Sequence, residues 1–194
     1  SRETLAGLLA MDAVLLDWSS RHNLIARSTV EDRWRRHYLD SAQLFPWIPE
    51  SARNLVDLGS GAGFPGLGLA AMGAAHGLNV TLIESTGKKA AFLRAAIKAM
   101  GLANAAVIPG RIEQTRLAAP DVITARALAP LSRLLGYAHD IQGENTLCLF
   151  PKGQDVDEEL TVASKCWNME IEKLRSLTSE DGCILKISKL RRRS

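Results

Sequence analysis

Val56-Asp57-Leu58-Gly59-Ser60-Gly61-Ala62-Gly63-Phe64-Pro65-Gly66 follows directly on a short apolar run and leads directly into an Ala/Leu-rich stretch of helical character. A glycine-rich turn in that place lets the backbone bend sharply and approach a ligand with no Cβ in the way. The helix behind it turns its free N–H groups toward polar ligand atoms. Gly61, Gly63 and Gly66 match the G-x-G-x-x-G spacing of a dinucleotide loop. Asp57 argues against a diphosphate, because it stands two residues before Gly59 and two negative groups there would repel. A ligand carrying an amine or sulfonium cation suits it better.

Outward from the loop, the runs NLVDL (54 to 58), NVTLIE (79 to 84), AAVIP (105 to 109), Asp121 to Ala125 and Thr146 to Phe150 alternate with helical patterns at Lys88 to Met100 and Pro130 to Ile141. Strands alternating with helices mean βαβ units and a parallel sheet. Two further runs, MEIEKLRSL and GCILKIS, flank the turn residues Ser179 to Gly182 and predict an antiparallel hairpin. The fold expected is α/β: a Rossmann-like, seven-stranded, mostly parallel sheet with helices on both faces. Residues 1 to 50 carry apolar residues at helical spacing from Leu5 to Trp18 and again from Val30 to Phe45, ended by Pro46 and Pro49. They are expected as an N-terminal helical cap, with 51 to 194 as the Rossmann-like domain.

Glu84 closes the second strand, 27 positions after Asp57. An acid there accepts the two hydroxyls of a ribose, on the sheet edge where open α/β folds bind ligands. As a strand-end acid it is expected to contribute little to packing. A nucleoside with a cationic tail satisfies both carboxylates, and S-adenosylmethionine is such a molecule.

Composition bounds the alternatives. The chain has 194 residues, 46% hydrophobic and 23% charged, enough apolar content for one sizeable core. Cys148, Cys166 and Cys183 are too few and too scattered for a disulfide framework, and they fit a reducing, cytoplasmic setting. His22, His37, His76 and His139 have no metal-ligand spacing, so no metal is expected. The longest stretch without Asp, Glu, Lys or Arg, Leu58 to Ile83, is broken by glycines, Pro65, His76 and Asn79, so no membrane span is expected. The chain starts at Ser1 with nothing resembling a signal peptide.

A net charge of +3 hides two basic clusters, Arg33, Arg35 and Arg36 with His37, and the tail Arg191, Arg192 and Arg193. Such patches hold nucleic-acid phosphates with salt-dependent affinity, or are simply solvated. Neither cluster is expected on the glycine-loop side of the pocket. Aromatic residues make up 5% of the chain, too few for base stacking over a wide sheet surface.

The chain resembles the RsmG (GidB) family of bacterial ribosomal RNA methyltransferases. The resemblance is carried by NLIA (23 to 26), RHYLDS (36 to 41), VDLGSGAGFPGLGLA (56 to 70), IESTGKKAAFLR (83 to 94), GRIE (110 to 113), TARALAPL (124 to 131) and FPKG (150 to 153). It implies a class I S-adenosylmethionine enzyme that methylates guanine N7 in the 530 loop of small-subunit (16S) rRNA, with that RNA or the small subunit as partner. Separately, a monomer is expected. It further implies that Gly59 and Phe64 line the cofactor loop, where the residue pattern itself already puts Asp57, Gly61 and Gly63. Ile112 and Glu113 would flank the adenine, and Arg126 would lie in the pocket. Family members usually carry more chain before the first helix.

Guanine N7 has an in-plane lone pair and no proton, so no general base is needed and catalysis should come from positioning and electrostatics. After the fourth strand the chain has Ala125-Arg126-Ala127-Leu128 instead of the (D/N)PPY expected for attack by an exocyclic amine. Arg126 and Lys152 are donors suited to guanine O6 or to phosphate. His37 could hold the guanine or RNA, or pack between cap and sheet. Asp40 and Ser41 could cap or brace a helix. Two other readings use the same residues: an NAD-linked oxidoreductase, for which the chain leaves little room for a substrate domain, and a noncatalytic RNA-binding assembly factor.

Overall fold

Asn54–Leu58 forms β1, and four of its five residues are buried, as both faces of a central parallel strand must be. The computed structural model describes residues 1–193. Around β1 lie β2 (Asn79–Glu84), β3 (Ala105–Pro109), β4 (Val122–Ala125), β5 (Leu147–Lys152), β6 (Trp167–Arg175) and β7 (Cys183–Arg192). The sheet has seven strands in the order β3-β2-β1-β4-β5-β7-β6. The five from β3 to β5 pair in parallel, whereas β7 pairs antiparallel with both β5 and β6. After β3 the chain crosses back over the sheet to β4, so the topological switch falls between β1 and β4. Their C-terminal ends therefore open the crevice in which such sheets bind ligands.

Each face of the sheet has its own apolar layer. On one, α1 (Arg2–Ser19), α3 (Gly66–Gly73) and α4 (Gly87–Met100) bury Met11, Leu15, Leu67, Phe92 and Leu93 against Leu55 and Leu82. On the other, α5 (Leu131–Ile141) and α6 (Val156–Ala163) bury Leu134, Leu135 and Val156 against Phe150 and Ile187. Tyr38 and Leu44, from the N-terminal segment, belong to the first of these layers.

The single long helix expected over Val30 to Phe45 is replaced by short pieces: a 3-10 turn (Arg27–Thr29), a π-helical segment (Trp34–Leu39) running into the three-residue α2 (Asp40–Ala42), and a second 3-10 turn (Phe45–Trp47). Local side-chain contacts fix this path. Trp34 stacks on Tyr38 at 4.2 Å, and Tyr38 meets Phe64 edge-on at 4.9 Å. The helix α6 has no counterpart in the sequence reading. Its first turn carries Asp157, Glu158 and Glu159, which favour the positive end of a helix dipole.

The last strand continues through the basic tail. Trp167 pairs with Arg192, while Cys183 pairs with Lys152 at the opposite end of β7. Nine steps along a strand put Arg192 about 30 Å from Cys183, at the sheet edge remote from the crevice.

Candidate active site

The glycine loop is shaped by three residues in the left-handed region, Gly59 (φ 65°), Gly61 (φ 54°) and Gly63 (φ 86°), where an L side chain is strained. Gly66 has a different reason to lack a side chain: a Cβ there would stand 2.3 Å from Leu82 Cδ2 and 2.8 Å from Asp57 Oδ2, so it lets α3 sit directly on the sheet. Asp57 is fully buried beneath this helix start. Its Oδ1 accepts from Thr124 Oγ1 at 2.8 Å, and its Oδ2 has no partner. Burial pushes this carboxyl up to about 6, against the pull of the hydrogen bond from Thr124. Asp57 thus lies under the loop and lines neither of the cavities described below.

Glu84 is nearly buried, and its carboxylate ties two backbone turns together. Oε2 accepts from the Gly61 N–H at 2.9 Å and Oε1 from the Thr86 N–H at 2.7 Å. Beyond the little packing expected of a strand-end acid, it thus makes two hydrogen bonds to the backbone of the loop and of the next turn. A carboxylate oxygen accepts more than one hydrogen bond, so each still has a lone pair for a ribose hydroxyl.

Beside the loop lies a cavity of about 220 Å³ whose walls include Gly59, Ile83, Ser85, Gly110, Ile112 and Glu113. Ile112 is buried in a 3-10 turn (Ile112–Gln114) and puts an apolar side chain in one wall. Glu113 is exposed and held below the usual carboxylate range by its own backbone N–H and by Tyr137. The bare Gly59 backbone and the apolar Ile112 line this cavity, and Glu84 lies at the end of β2 directly before Ser85 in its wall.

A second cavity, of about 540 Å³, opens over the ends of β4 and β5 and includes Asp40, Arg126, Pro151, Lys152, Glu159 and Cys183. Leu128 lines both cavities, and its Cδ1 lies 2.4 Å from where a Cβ on Gly59 would be. Its position follows Ala127, whose φ of 52° turns the chain sharply. One leucine therefore separates the smaller space beside the glycine loop from the larger one over the ends of β4 and β5.

Arg126 faces the larger cavity from the end of β4. Nη1 donates to the Arg36 carbonyl and to Asp40 Oδ2, both at 3.0 Å, and the guanidinium lies 5.3 Å from the Phe64 ring centroid. Nη2 donates to His37 Nδ1 at 3.0 Å, so the remaining ring N–H on Nε2 is directed to Thr29 Oγ1 at 2.9 Å. Burial first, and the Arg126 charge second, push the His37 imidazole down to about 4. His37 also stacks on Phe64 at 5.2 Å. This is a correction: the segment bearing Arg33, Arg35 and Arg36 lies against the glycine loop, not away from it. Within the cluster the roles diverge. Arg33 holds Asp12 of α1 through Nε and Nη2 at 2.6 and 2.8 Å, whereas Arg35 and Arg36 are exposed. At the far edge, Arg192 covers Trp167 and Arg193 donates to the Ser164 carbonyl at 2.6 Å.

Lys152, at the end of β5, pairs with Glu159 of α6 at 2.5 Å inside the larger cavity. Sequence reasoning passed over Glu159 and Leu128. Glu159 belongs to the helix that was not expected, and only the placing of α6 against β5 brings it to Lys152. No group of His, Cys, Asp or Glu among the described residues could hold a metal ion, and no helix among them is long and apolar enough to cross a membrane.

A seven-stranded sheet with one antiparallel strand inserted beside β5, a glycine loop after β1 and an acid at the end of β2 define a Rossmann-like fold of the class I methyltransferase type. Solved structures agree on the fold. An O-methyltransferase from Bacillus cereus, in complex with SAH, superimposes with a TM-score of 0.62 at 17% identity over 92% of this chain and 90% of that one. An S-adenosylmethionine-dependent methyltransferase from Aquifex aeolicus gives 0.62 at 13% identity over 84% and 98%. The family described as rRNA small subunit methyltransferase G matches residues 5–184. Proteins named ribosomal RNA small subunit methyltransferase G are 49% identical in Rhodospirillum centenum, over 98% of this chain and 86% of the relative, and 48% identical in Paramagnetospirillum magneticum, over 99% and 92%. The chain belongs to the rRNA small subunit methyltransferase G family. That membership favours neither an oxidoreductase nor a noncatalytic assembly factor.

Proposed function

We propose that this protein transfers a methyl group from S-adenosylmethionine to N7 of a guanine in the 530 loop of small-subunit (16S) rRNA, in the cytoplasm where that subunit is found. The observation that carries the reading is the meeting of two cavities at Leu128: one walled by Gly59, Ser85 and Ile112, the other by the cations Arg126 and Lys152. Gly59, Gly61, Gly63 and Phe64 shape the cofactor side, Glu84 takes the ribose hydroxyls, and Ile112 and Glu113 flank the adenine. When bound, S-adenosylmethionine would supply an electrophilic sulfonium methyl, and guanine N7, with a lone pair and no proton, would ask no general base of these residues.

The work left to the chain is positioning and charge. Arg126 keeps its Nε–H and one Nη2–H after the contacts to Arg36, Asp40 and His37, and these serve guanine O6 or an adjacent phosphate. Fixed by three neighbours from the N-terminal segment, its guanidinium is oriented before the RNA arrives. Arg35 and Arg36, on the same side as the cavity, are placed to meet the RNA backbone near the target. The tail arginines Arg191, Arg192 and Arg193 could reach only RNA that extends to the far edge of the sheet.

The test is to titrate the protein with S-adenosylmethionine, S-adenosylhomocysteine and NAD while following its thermal stability, since a ligand that binds the native state must raise it. The first two should stabilise and NAD should not. Stabilisation by NAD alone would overturn the proposal.

A further inference from the structure

The Lys152–Glu159 pair has more order than a chance salt bridge. Both side chains are largely enclosed, with 11% and 27% of their surfaces exposed, and both line the larger cavity. Glu159 Oε2 is held twice, by Lys152 Nζ at 2.5 Å and by the Leu131 N–H that opens α5 at 2.6 Å. That leaves Oε1 with no hydrogen-bond partner among the described residues, and leaves two ammonium protons on Lys152 beyond the one shared with Glu159. A strong acceptor and a strong donor thus stand side by side in a cavity, each with capacity left over.

We infer that this pair reads the Watson–Crick edge of the target base, Lys152 donating to O6 and Glu159 accepting from N1–H and the N2 amine, an assignment that rests on the guanine reading above. On guanine an acceptor, O6, sits next to a donor, N1–H, and the amine follows as a second donor. Lys152 beside Glu159 is the complement of that order. Adenine reverses it: its N6 amine would face the ammonium, and its N1 lone pair would face the carboxylate. Both mismatches set donor against donor and acceptor against acceptor, and leave the spare capacity of Lys152 and of Glu159 Oε1 unfilled in an enclosed place, which is the situation in which a site rejects an analogue strongly. Holding the base by this edge leaves N7 uncovered. It also explains why a cavity for a base needs an acid when the reaction itself needs no base.

The experiment uses a small-subunit RNA, naked or assembled with ribosomal proteins, whichever the wild-type enzyme methylates, with the mapped target carrying guanine or 2,6-diaminopurine. The analogue keeps N7 and the N2 amine but presents an amine and a lone pair where guanine has O6 and N1–H. Wild-type enzyme should prefer guanine by about 100-fold or more in kcat/KM. Glu159→Gln, which keeps an oxygen for the Leu131 N–H, should lower turnover on guanine by about 10- to 100-fold and shrink the preference at least tenfold. Lys152→Met, which leaves Glu159 on Leu131, should shrink it likewise and stands in should Glu159→Gln lose its fold. S-adenosylmethionine affinity, by calorimetry, should be unchanged in both. A guanine preference that survives both substitutions overturns the inference. A wild-type enzyme that methylates no guanine N7 in this RNA overturns the guanine reading itself, which is a separate failure.

Discussion

Replacing Glu84 separates its two duties. The side chain is 5% exposed and accepts the Gly61 and Thr86 N–H groups at 2.9 and 2.7 Å. Hydrogen bonds to a charged acceptor contribute about 1.5–3 kcal/mol each when buried. Both N–H groups are only partly buried and regain some water after truncation, so Glu84→Ala should lower the stability of the ligand-free protein by about 2–4 kcal/mol. That is a large share of the usual 5–15 kcal/mol, roughly, for a domain. Glu84→Gln should recover about half of it, because its amide oxygen can accept one N–H while its NH2 opposes the other. Cofactor affinity should fall by about 10- to 100-fold in the Ala variant, from missing ribose hydrogen bonds and a loosened loop, or about 1–3 kcal/mol. Urea unfolding without ligand measures the first quantity, and calorimetry with S-adenosylmethionine measures the second. Unchanged ligand-free stability would refute the bracing role, and unchanged affinity would refute the ribose role.

Half-buried His37 and buried Asp57 have opposite pKa displacements and pull the acid limb of stability in opposite directions. His37 falls from 6.5 to about 4 on folding, so between those values the unfolded chain binds a proton that the folded one refuses, and stability drops as pH falls. Asp57 rises from 3.8 to about 6, so over nearly the same window the folded chain binds the extra proton and stability grows as pH falls. The two slopes oppose each other in the wild type. Urea titrations from pH 7 to 4 should show His37→Asn gaining stability on acidification relative to wild type and Asp57→Asn losing it more steeply; parallel profiles for all three would contradict the assignment. Among the arginines, Arg35→Ala with Arg36→Ala should weaken RNA binding and flatten its salt dependence by up to about one log-log unit for each phosphate left without its cation. The tail triple variant Arg191→Ala, Arg192→Ala, Arg193→Ala should do less for a short 530-loop RNA, because it lies at the far edge. Equal effects of the two sets on that RNA would contradict the placement.

Much of the fold was legible because it is written in period and punctuation. The strands from NLVDL to Cys183 emerge from apolar runs between glycine and proline signals, and the loop at Gly59 to Gly66 announces the switch point. The segment after Val30 was misread because its apolar spacing is compatible with a straight helix. What diverts the chain is tertiary: Arg33 reaching Asp12 on α1, and Tyr38 meeting Phe64. The site was half legible. Gly59, Glu84 and Ile112 stand in sequence beside recognisable motifs, and their surroundings follow from the βαβ geometry. Asp57 could not be placed under the loop from sequence, since whether a strand-end acid faces ligand or helix depends on how closely α3 approaches at Gly66. Nor could Arg126 be seen to lean on His37 and Asp40, or Lys152 on Glu159, because those partners are 86 or more positions away in the first case and on an unrecognised helix in the second.

The central claim is tested most directly by incubating the purified protein with S-adenosylmethionine and unmethylated small-subunit RNA or subunits, then mapping 7-methylguanosine along the RNA. Transfer confined to a guanine of the 530 loop, and lost in Glu84→Ala, is the result expected. Cofactor binding without 7-methylguanosine anywhere in that RNA, naked or assembled, would contradict it.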